Sequence, residues 1–341
     1  MAHDRDEACV GILLDGLKTT LDEVAPVLAM EPEVERGLPD DMPQLVLLER
    51  AERPEALASV VDITGVHSRA CAGMPVGRCG RRVGGFRQNV QARARHSHVV
   101  DPIRKAQAFF AGKAQAYRES PSHADRADLA RMAEWLAPRA GERALDVATG
   151  GGHTALALRA AGCDTLATDA TRAMLDKGPP VPRAVCDAER LPFRRGSFDI
   201  VASRIAPHHF PDLPLFAQEV ARVLRQDGRL YVFDLTTPED ASAQARIDHV
   251  ERLRDPSHGR SYPPSAWRAA LAKAGLQVRR METRDSTFDL DAWIARARMP
   301  AEREGELRRL LRETPPDVLG GYGVTFEGKM RVLRVELLAS V

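Results

Sequence analysis

The sequence contains no run approaching the ~18 apolar residues that a membrane-crossing helix needs. Its opening, Met-Ala-His-Asp-Arg-Asp-Glu, lacks the basic-then-apolar order of a secretory signal. Its five cysteines, Cys9, Cys71, Cys79, Cys163 and Cys186, form no Cys-x-x-Cys pair. Cys71 and Cys79 have no second pair to complete a zinc site. These absences argue against a disulfide framework, and the expectation is a cytoplasmic protein with reduced thiols, no metal and no membrane span. Acid is also missing locally. Between Thr64 and Val100 there is no Asp or Glu, but seven arginines, including Arg78, Arg81, Arg82 and Arg87. Such a stretch has too little apolar surface to fold alone.

The net charge of +1 hides this asymmetry, because residues 1–66 carry fifteen acids against five Lys/Arg. The chain divides accordingly. Residues 1–66 form an acidic extension without an assigned role, with helices expected over Glu7–Leu28 and Pro43–Val61. Residues 67–102 are a basic Arg/Gly-rich linker expected to be disordered. Residues 103–341 form the folded domain, with its core over 143–235.

Inside that domain, Leu129, Met132, Ala133 and Leu136 fall at i, i+3, i+4 and i+7, an amphipathic helix stopped by Pro138 and Gly141. An apolar strand carrying Asp146 then runs into Gly150-Gly151-Gly152, and a helix-like segment follows from His153 to Ala161. Short strands are expected at Thr165–Thr168, Arg183–Cys186, Asp199–Ser203 and Arg229–Asp234. A helix should run from near Pro214 to Asp227-Gly228, and Leu276–Met281 and Met330–Leu338 are two further strand candidates. This alternation predicts an α/β fold, a doubly wound and mostly parallel sheet.

A strand, a glycine turn and a helix N-terminus present backbone N–H groups to a ligand. A P-loop would require lysine where His153 stands, so that reading fails. Gly150-x-Gly152-x-x-Ala155 fits a dinucleotide fingerprint loosely, and Asp169 could bind the ribose hydroxyls of either a dinucleotide or S-adenosylmethionine. Two features favour the second. Asp146 interrupts the first strand, where a carboxylate needs hydrogen-bond donors. Asp187, directly after the third strand, can accept from an adenine amino group.

These blocks resemble the class I S-adenosylmethionine-dependent methyltransferases, the small-molecule type similar to the ubiquinone/menaquinone C-methyltransferases. Asp146-x-Ala148-x-Gly150-Gly151-Gly152 resembles their first motif, with alanine in place of its first glycine. The resemblance implies that Asp169 and Ala170 meet the ribose and that Asp187 and Ala188 meet adenine. It also implies that the residues of the first motif, Arg204 in the fourth-strand block and Tyr117 in an N-terminal lid bind the cofactor. Only seventeen residues separate Asp169 from Asp187, and Gly178-Pro179-Pro180-x-Pro182 fills much of the gap. The helix after the second strand should therefore be one or two turns.

The expected activity is methyl transfer from S-adenosylmethionine to a small or medium-sized organic acceptor held by Thr236–Gly275 and the lid. His208 and His209 follow the fourth strand; either could take a proton from the acceptor, or the pair could simply pack the start of the next helix. Trp267, Trp293, Phe233 and Tyr262 are equally readable as pocket or as core. The alternatives are a nicotinamide-dependent oxidoreductase, an RNA-directed methyltransferase using the basic arm, and a non-catalytic scaffold. Nucleic-acid chemistry finds little support, because Ser203-Arg204-Ile205-Ala206 stands where an exocyclic-amine enzyme would carry Asn/Asp-Pro-Pro-aromatic.

Overall fold

The structure is a computed structural model that describes residues 46–48, 60–62 and 102–341, apart from 121 and 177. Two short strands, β1 (Val46–Leu48) and β2 (Val60–Asp62), occupy the described part of the first hundred residues. They replace the helix expected over Pro43–Val61 at both of its described ends. Both are valine- or leucine-rich triplets, as suited to an extended edge as to a helix. The expected helix at Glu7–Leu28 and nearly all of the basic arm lie outside the described residues.

The centre of the fold is parallel. Strands β3 (Arg143–Val147), β4 (Asp164–Asp169), β5 (Arg183–Val185), β6 (Phe198–Arg204) and β7 (Leu224–Leu235) alternate with helices. They lie in the order β5-β4-β3-β6-β7, with Leu145 level with both Leu166 and Val201. β1 adds antiparallel to β5, and β2 to β1. At the other edge, β10 (Lys329–Ser340) runs antiparallel between β7 and β8 (Gln277–Asp289), and the two-residue β9 (Gly323–Val324) pairs with β10. The doubly wound sheet read from the sequence is therefore present, parallel across its five central strands, while antiparallel strands at both edges make the whole sheet mixed and not mostly parallel.

Both faces of the sheet are covered, and the central strands bury apolar side chains such as Leu145, Leu166, Val201 and Val232, with the polar exceptions gathered mostly toward their ends. The helices, in chain order, are α1 (Pro102–Phe110), α2 (Ala114–Arg118), α3 (Arg126–Leu136), α4 (His153–Ala160) and α5 (Arg172–Asp176). They continue with α6 (Leu213–Val223), α7 (Ala241–Arg254), α8 (Pro264–Lys273), α9 (Leu290–Ala295) and α10 (Ala301–Glu313). α3 and α4 bury Met132, Trp135, Leu136 and Leu158 against Ile200, Ala202 and Tyr231 on one face. On the other face, Phe216, Val220 and Val223 of α6 and Trp267 and Leu271 of α8 meet Leu145, Val201 and Val232. A third cluster, including Ile247, Trp293, Leu307 and Val332, joins α7, α9 and α10 to the end of β10.

α3 is capped by Asp125, which accepts from the N–H groups of Ala127 and Asp128, and it ends at Ala137 in a left-handed turn before Pro138. α5 has five residues, so the helix after β4 is as short as its proline-rich surroundings predict. Several boundaries differ from the sequence reading. α6 ends at Val223, not at Asp227-Gly228, and β7 begins directly at Leu224. β8 runs well beyond Met281, whereas β10 exceeds Met330–Leu338 only slightly at each end. β8 is long because it pairs with β10 along nearly its whole length, a non-local gain that its half-exposed, charge-rich sequence does not advertise.

Candidate active site

The three acids singled out by the sequence, Asp146, Asp169 and Asp187, arrive together at the carboxyl ends of β3, β4 and β5, where doubly wound folds place ligands. Between β3 and α4 the backbone turns through left-handed conformations at Ala148, Gly150 and Gly152, with φ of 57°, 52° and 85°. Asp146 holds this turn from below. Its buried carboxylate accepts from Thr149 Oγ1 at 2.6 Å and from the Ala155 N–H at 3.0 Å, joining the strand to the first turn of α4. Burial pushes the Asp146 carboxyl up to about 7. Asp169 accepts from the Gly150 N–H at 3.0 Å and the Thr171 N–H at 2.8 Å, and burial raises it to about 6.

The three glycines serve three different neighbours. A Cβ on Gly150 would meet nothing within 4 Å, so this position opens onto a cavity. A Cβ on Gly151 would lie 2.7 Å from the Tyr117 carbonyl oxygen, and one on Gly152 would lie 2.5 Å from Pro179 Cδ. Gly151 thus seats α2, and Gly152 seats the proline-rich turn after α5.

The cavity at Gly150 is lined by Ala148, Asp169, Ala170, Asp187 and Ala188, and also by Tyr117 and Arg204. Gly151, Gly152 and Asp146 are not among its lining residues. α1 and α2 lie over it. Gln107 donates to the Ala170 carbonyl at 2.9 Å, and Tyr117 packs edge-on against Phe110 with centroids 5.3 Å apart. Asp187 accepts from the Glu189 N–H at 2.9 Å. Arg204 is buried, with Nη1 donating to the His123 carbonyl at 3.3 Å and Nη2 lying 3.8 Å from Asp128.

A second cavity, of about 360 Å³, adjoins the first. Tyr117, His123, Ile205 and His209 line both. His208, on a single 3-10 turn after β6, lines the second. Its backbone N–H donates to Asp234 Oδ2 at 2.7 Å, and its Nδ1 lies 2.6 Å from Asp234 Oδ1. Burial holds His208 well below the usual imidazole range and pushes Asp234 up to about 7. His209 instead contacts the Ser257 carbonyl at 3.1 Å and packs edge-on against Phe110.

The second cavity departs from the expected acceptor segment. Residues 236–275 supply only Glu251, Arg254 and Asp255, while Phe288, Trp293, Arg296 and Arg298, together with Val332 and Arg334 of β10, also line it. Of the four aromatics considered, Trp293 lines this cavity, Trp267 and Phe233 are core, and Tyr262 lines neither cavity. Asp234 was not anticipated. The available signal was an acid closing the apolar run Leu230–Phe233, the same pattern that marks Asp146. Both described cysteines, Cys163 and Cys186, are free and buried.

Comparison with known proteins gives this arrangement a family. The family model described as a methyltransferase domain matches residues 145–232. The chain is 37% identical over 207 residues to the protein named Uncharacterized methyltransferase YcgJ of Bacillus subtilis (strain 168), covering 58% of this chain and 82% of that one. The crystal structure of the YcgJ protein superimposes with a TM-score of 0.57 at 32% identity, over 63% of this chain and 97% of that one. A ubiquinone/menaquinone biosynthesis C-methyltransferase of Dinoroseobacter shibae (strain DSM 16493 / NCIMB 14021 / DFL 12) is 34% identical over 129 residues, which cover 34% of this chain and 52% of that one. With a glycine turn, acids closing successive parallel strands and these relatives in agreement, the chain belongs to the class I S-adenosylmethionine-dependent methyltransferases.

Proposed function

We propose that the first cavity holds S-adenosylmethionine and the second a small or medium-sized organic acceptor. In this reading Asp169 accepts from the ribose hydroxyls, and Asp187 and Ala188 meet the adenine. Ala148, Gly150 and Ala170 follow the rest of the cofactor beneath Tyr117, with Arg204 at its far end. Asp146, Gly151 and Gly152 act through the loop rather than by touch, since each is engaged by protein. The donor set fits the group: carboxylates close two neighbouring strands, and the one glycine of the turn without a neighbour faces the space between them. The residues 103–341 form the methyltransferase unit, and the protein works in the cytoplasm; among the described residues no helix is long and apolar enough to cross a membrane.

The observation that carries this reading is the shared wall. A donor in one cavity and an acceptor in the other meet across Tyr117, His123, Ile205 and His209. Bound S-adenosylmethionine supplies a methyl group on a sulfonium that leaves readily. The protein then needs to hold the acceptor in line, exclude water and, for an O–H or N–H acceptor, remove a proton.

His208 suits that last task. With Nδ1 donating to Asp234, the imidazole is neutral and its Nε2 carries the lone pair. His209, bonded to Ser257 and packed on Phe110, braces the lid. Calorimetry with S-adenosylhomocysteine tests the cofactor assignment, with NADH as control. Binding should be tight for the first and absent for the second, and the reverse would overturn the reading.

A further inference from the structure

The second cavity is cationic. Arg334 lies in its wall only 6% exposed, while Arg296 and Arg298 stand exposed beside it and Lys113 lies on α2's side. Five lining cations, Lys113, Arg254, Arg296, Arg298 and Arg334, face only two lining carboxylates, Glu251 and Asp255, so positive charge is in excess. Glu251 accepts from Tyr322 Oη at 2.9 Å and from Arg254 at 3.1 Å, and Asp255 accepts from the Ser257 N–H at 2.8 Å. Beyond the lining, Asp234 is engaged by His208, and Asp128 by Arg284 at 2.5 Å. His123, His208 and His209 are all held below the imidazole range by burial and contribute no charge at neutral pH.

Arg334 itself is under-used. Its Nε and Nη1 are buried and make no hydrogen bond, and its guanidinium lies 5.6 Å from the Phe233 ring. Burial lowers it to about 10, which still leaves it charged at neutral pH. Asp234, Glu251 and Asp128 act on it only through space, with no salt bridge among the described residues, so its guanidinium keeps unfilled donors that an anion in the cavity can satisfy. Arg296 is held ready in the same manner, stacked 5.0 Å from Phe288 with Nη1 on Ser122 Oγ at 2.9 Å. Planar guanidinium groups fixed on aromatic faces lose little freedom when they meet a carboxylate or phosphate.

We propose that the methyl acceptor carries an anionic group, a carboxylate or a phosphate, which Arg334 and Arg296 receive. This inference rests on the two-cavity reading above and adds the acceptor's chemical class. It also suits the neighbouring cavity, because a negative acceptor is drawn toward a cationic methyl donor.

The test uses the full-length protein saturated with S-adenosylhomocysteine and titrated calorimetrically with benzoate, phenyl phosphate and neutral benzamide. At least one anion should bind about tenfold or more tightly than benzamide, and whichever anion is preferred identifies the group. Arg334→Gln should remove most of that preference and leave S-adenosylhomocysteine affinity within about twofold. Arg296→Gln, at an exposed position that tolerates substitution, should reduce the preference by a smaller factor. Equal binding of benzamide and both anions would overturn the proposal, as would anion binding that neither substitution changes. A loss of S-adenosylhomocysteine affinity in Arg334→Gln would also overturn it, because the guanidinium would then serve the cofactor. Failure of the wild type to bind S-adenosylhomocysteine would instead remove the two-cavity reading on which the inference stands.

Discussion

The cavity assigned to the cofactor takes its acids from the ends of adjacent parallel strands, Asp169 on β4 and Asp187 just after β5. The cavity assigned to the acceptor takes its cations from α2, α7, the turn after α9 and the antiparallel strand β10. The first is assembled from short-range repeats of one strand–turn–helix unit, so each polar group arrives with its own local signature. The second exists only after segments more than two hundred residues apart in sequence have packed. One region is written in the chain, and the other is made by the fold.

That contrast can be broken or sharpened by substitution. The largest effect is expected at His208. His208→Gln should cut turnover by roughly 10²–10⁴-fold with S-adenosylhomocysteine affinity nearly unchanged, whereas His209→Gln should act mainly on melting temperature. Single-turnover methylation of an acceptor with a dissociable proton separates the two, and equal losses in both variants would return the pair to a packing role.

Next comes Asp169. Asp169→Ala should weaken S-adenosylhomocysteine by roughly a hundredfold, since two charge-assisted hydrogen bonds are lost and their contributions are not additive. The change also orphans the Gly150 and Thr171 N–H groups, so a lower melting temperature should accompany it. Calorimetry and a thermal scan on the same preparation read both.

A smaller effect is expected from pH. The Asp169 carboxyl stands at about 6 in the protein without ligand. Hydroxyl donors favour the ionised form, so cofactor affinity should be full above pH ~7 and fall about tenfold per unit below ~6. Asp169→Asn should remove the slope, and a slope that survives in this variant would assign it to another group.

At Gly151 the effect reaches the cofactor only through α2. An alanine Cβ there would lie 2.7 Å from the Tyr117 carbonyl oxygen and meet only backbone, so α2 itself must shift. The cost is about 1–3 kcal/mol, which a thermal scan and calorimetry with S-adenosylhomocysteine should both read. Gly150→Ala, with no protein neighbour to disturb, should act through φ strain and contact with the ligand instead.

Legibility followed the same divide. Asp146, the glycine turn, Asp169 and Asp187 could be placed from sequence because strand periodicity and turn chemistry are local. The shortness of α5 was likewise visible, in the prolines around Pro179. Asp234, Arg296 and Arg334 were not legible as site residues. Asp234 reads simply as the last residue of the expected strand Arg229–Asp234, and its link to His208 forms only in the fold. Arg334 lies on an antiparallel strand whose place beside β7 no local pattern dictates, level with Leu235 and Arg284. The three glycines illustrate the limit most directly. Their sequence suggested one shared role toward a ligand, yet two of them make room for protein.

The seat of Tyr117 on Gly151 ties the two cavities to one backbone contact. α2 rests by its backbone on the glycine turn, and the Tyr117 side chain forms part of the wall of both cavities. α1 is tied across the same rim by Gln107 on Ala170. Any displacement of α2 therefore changes the wall of both cavities at once.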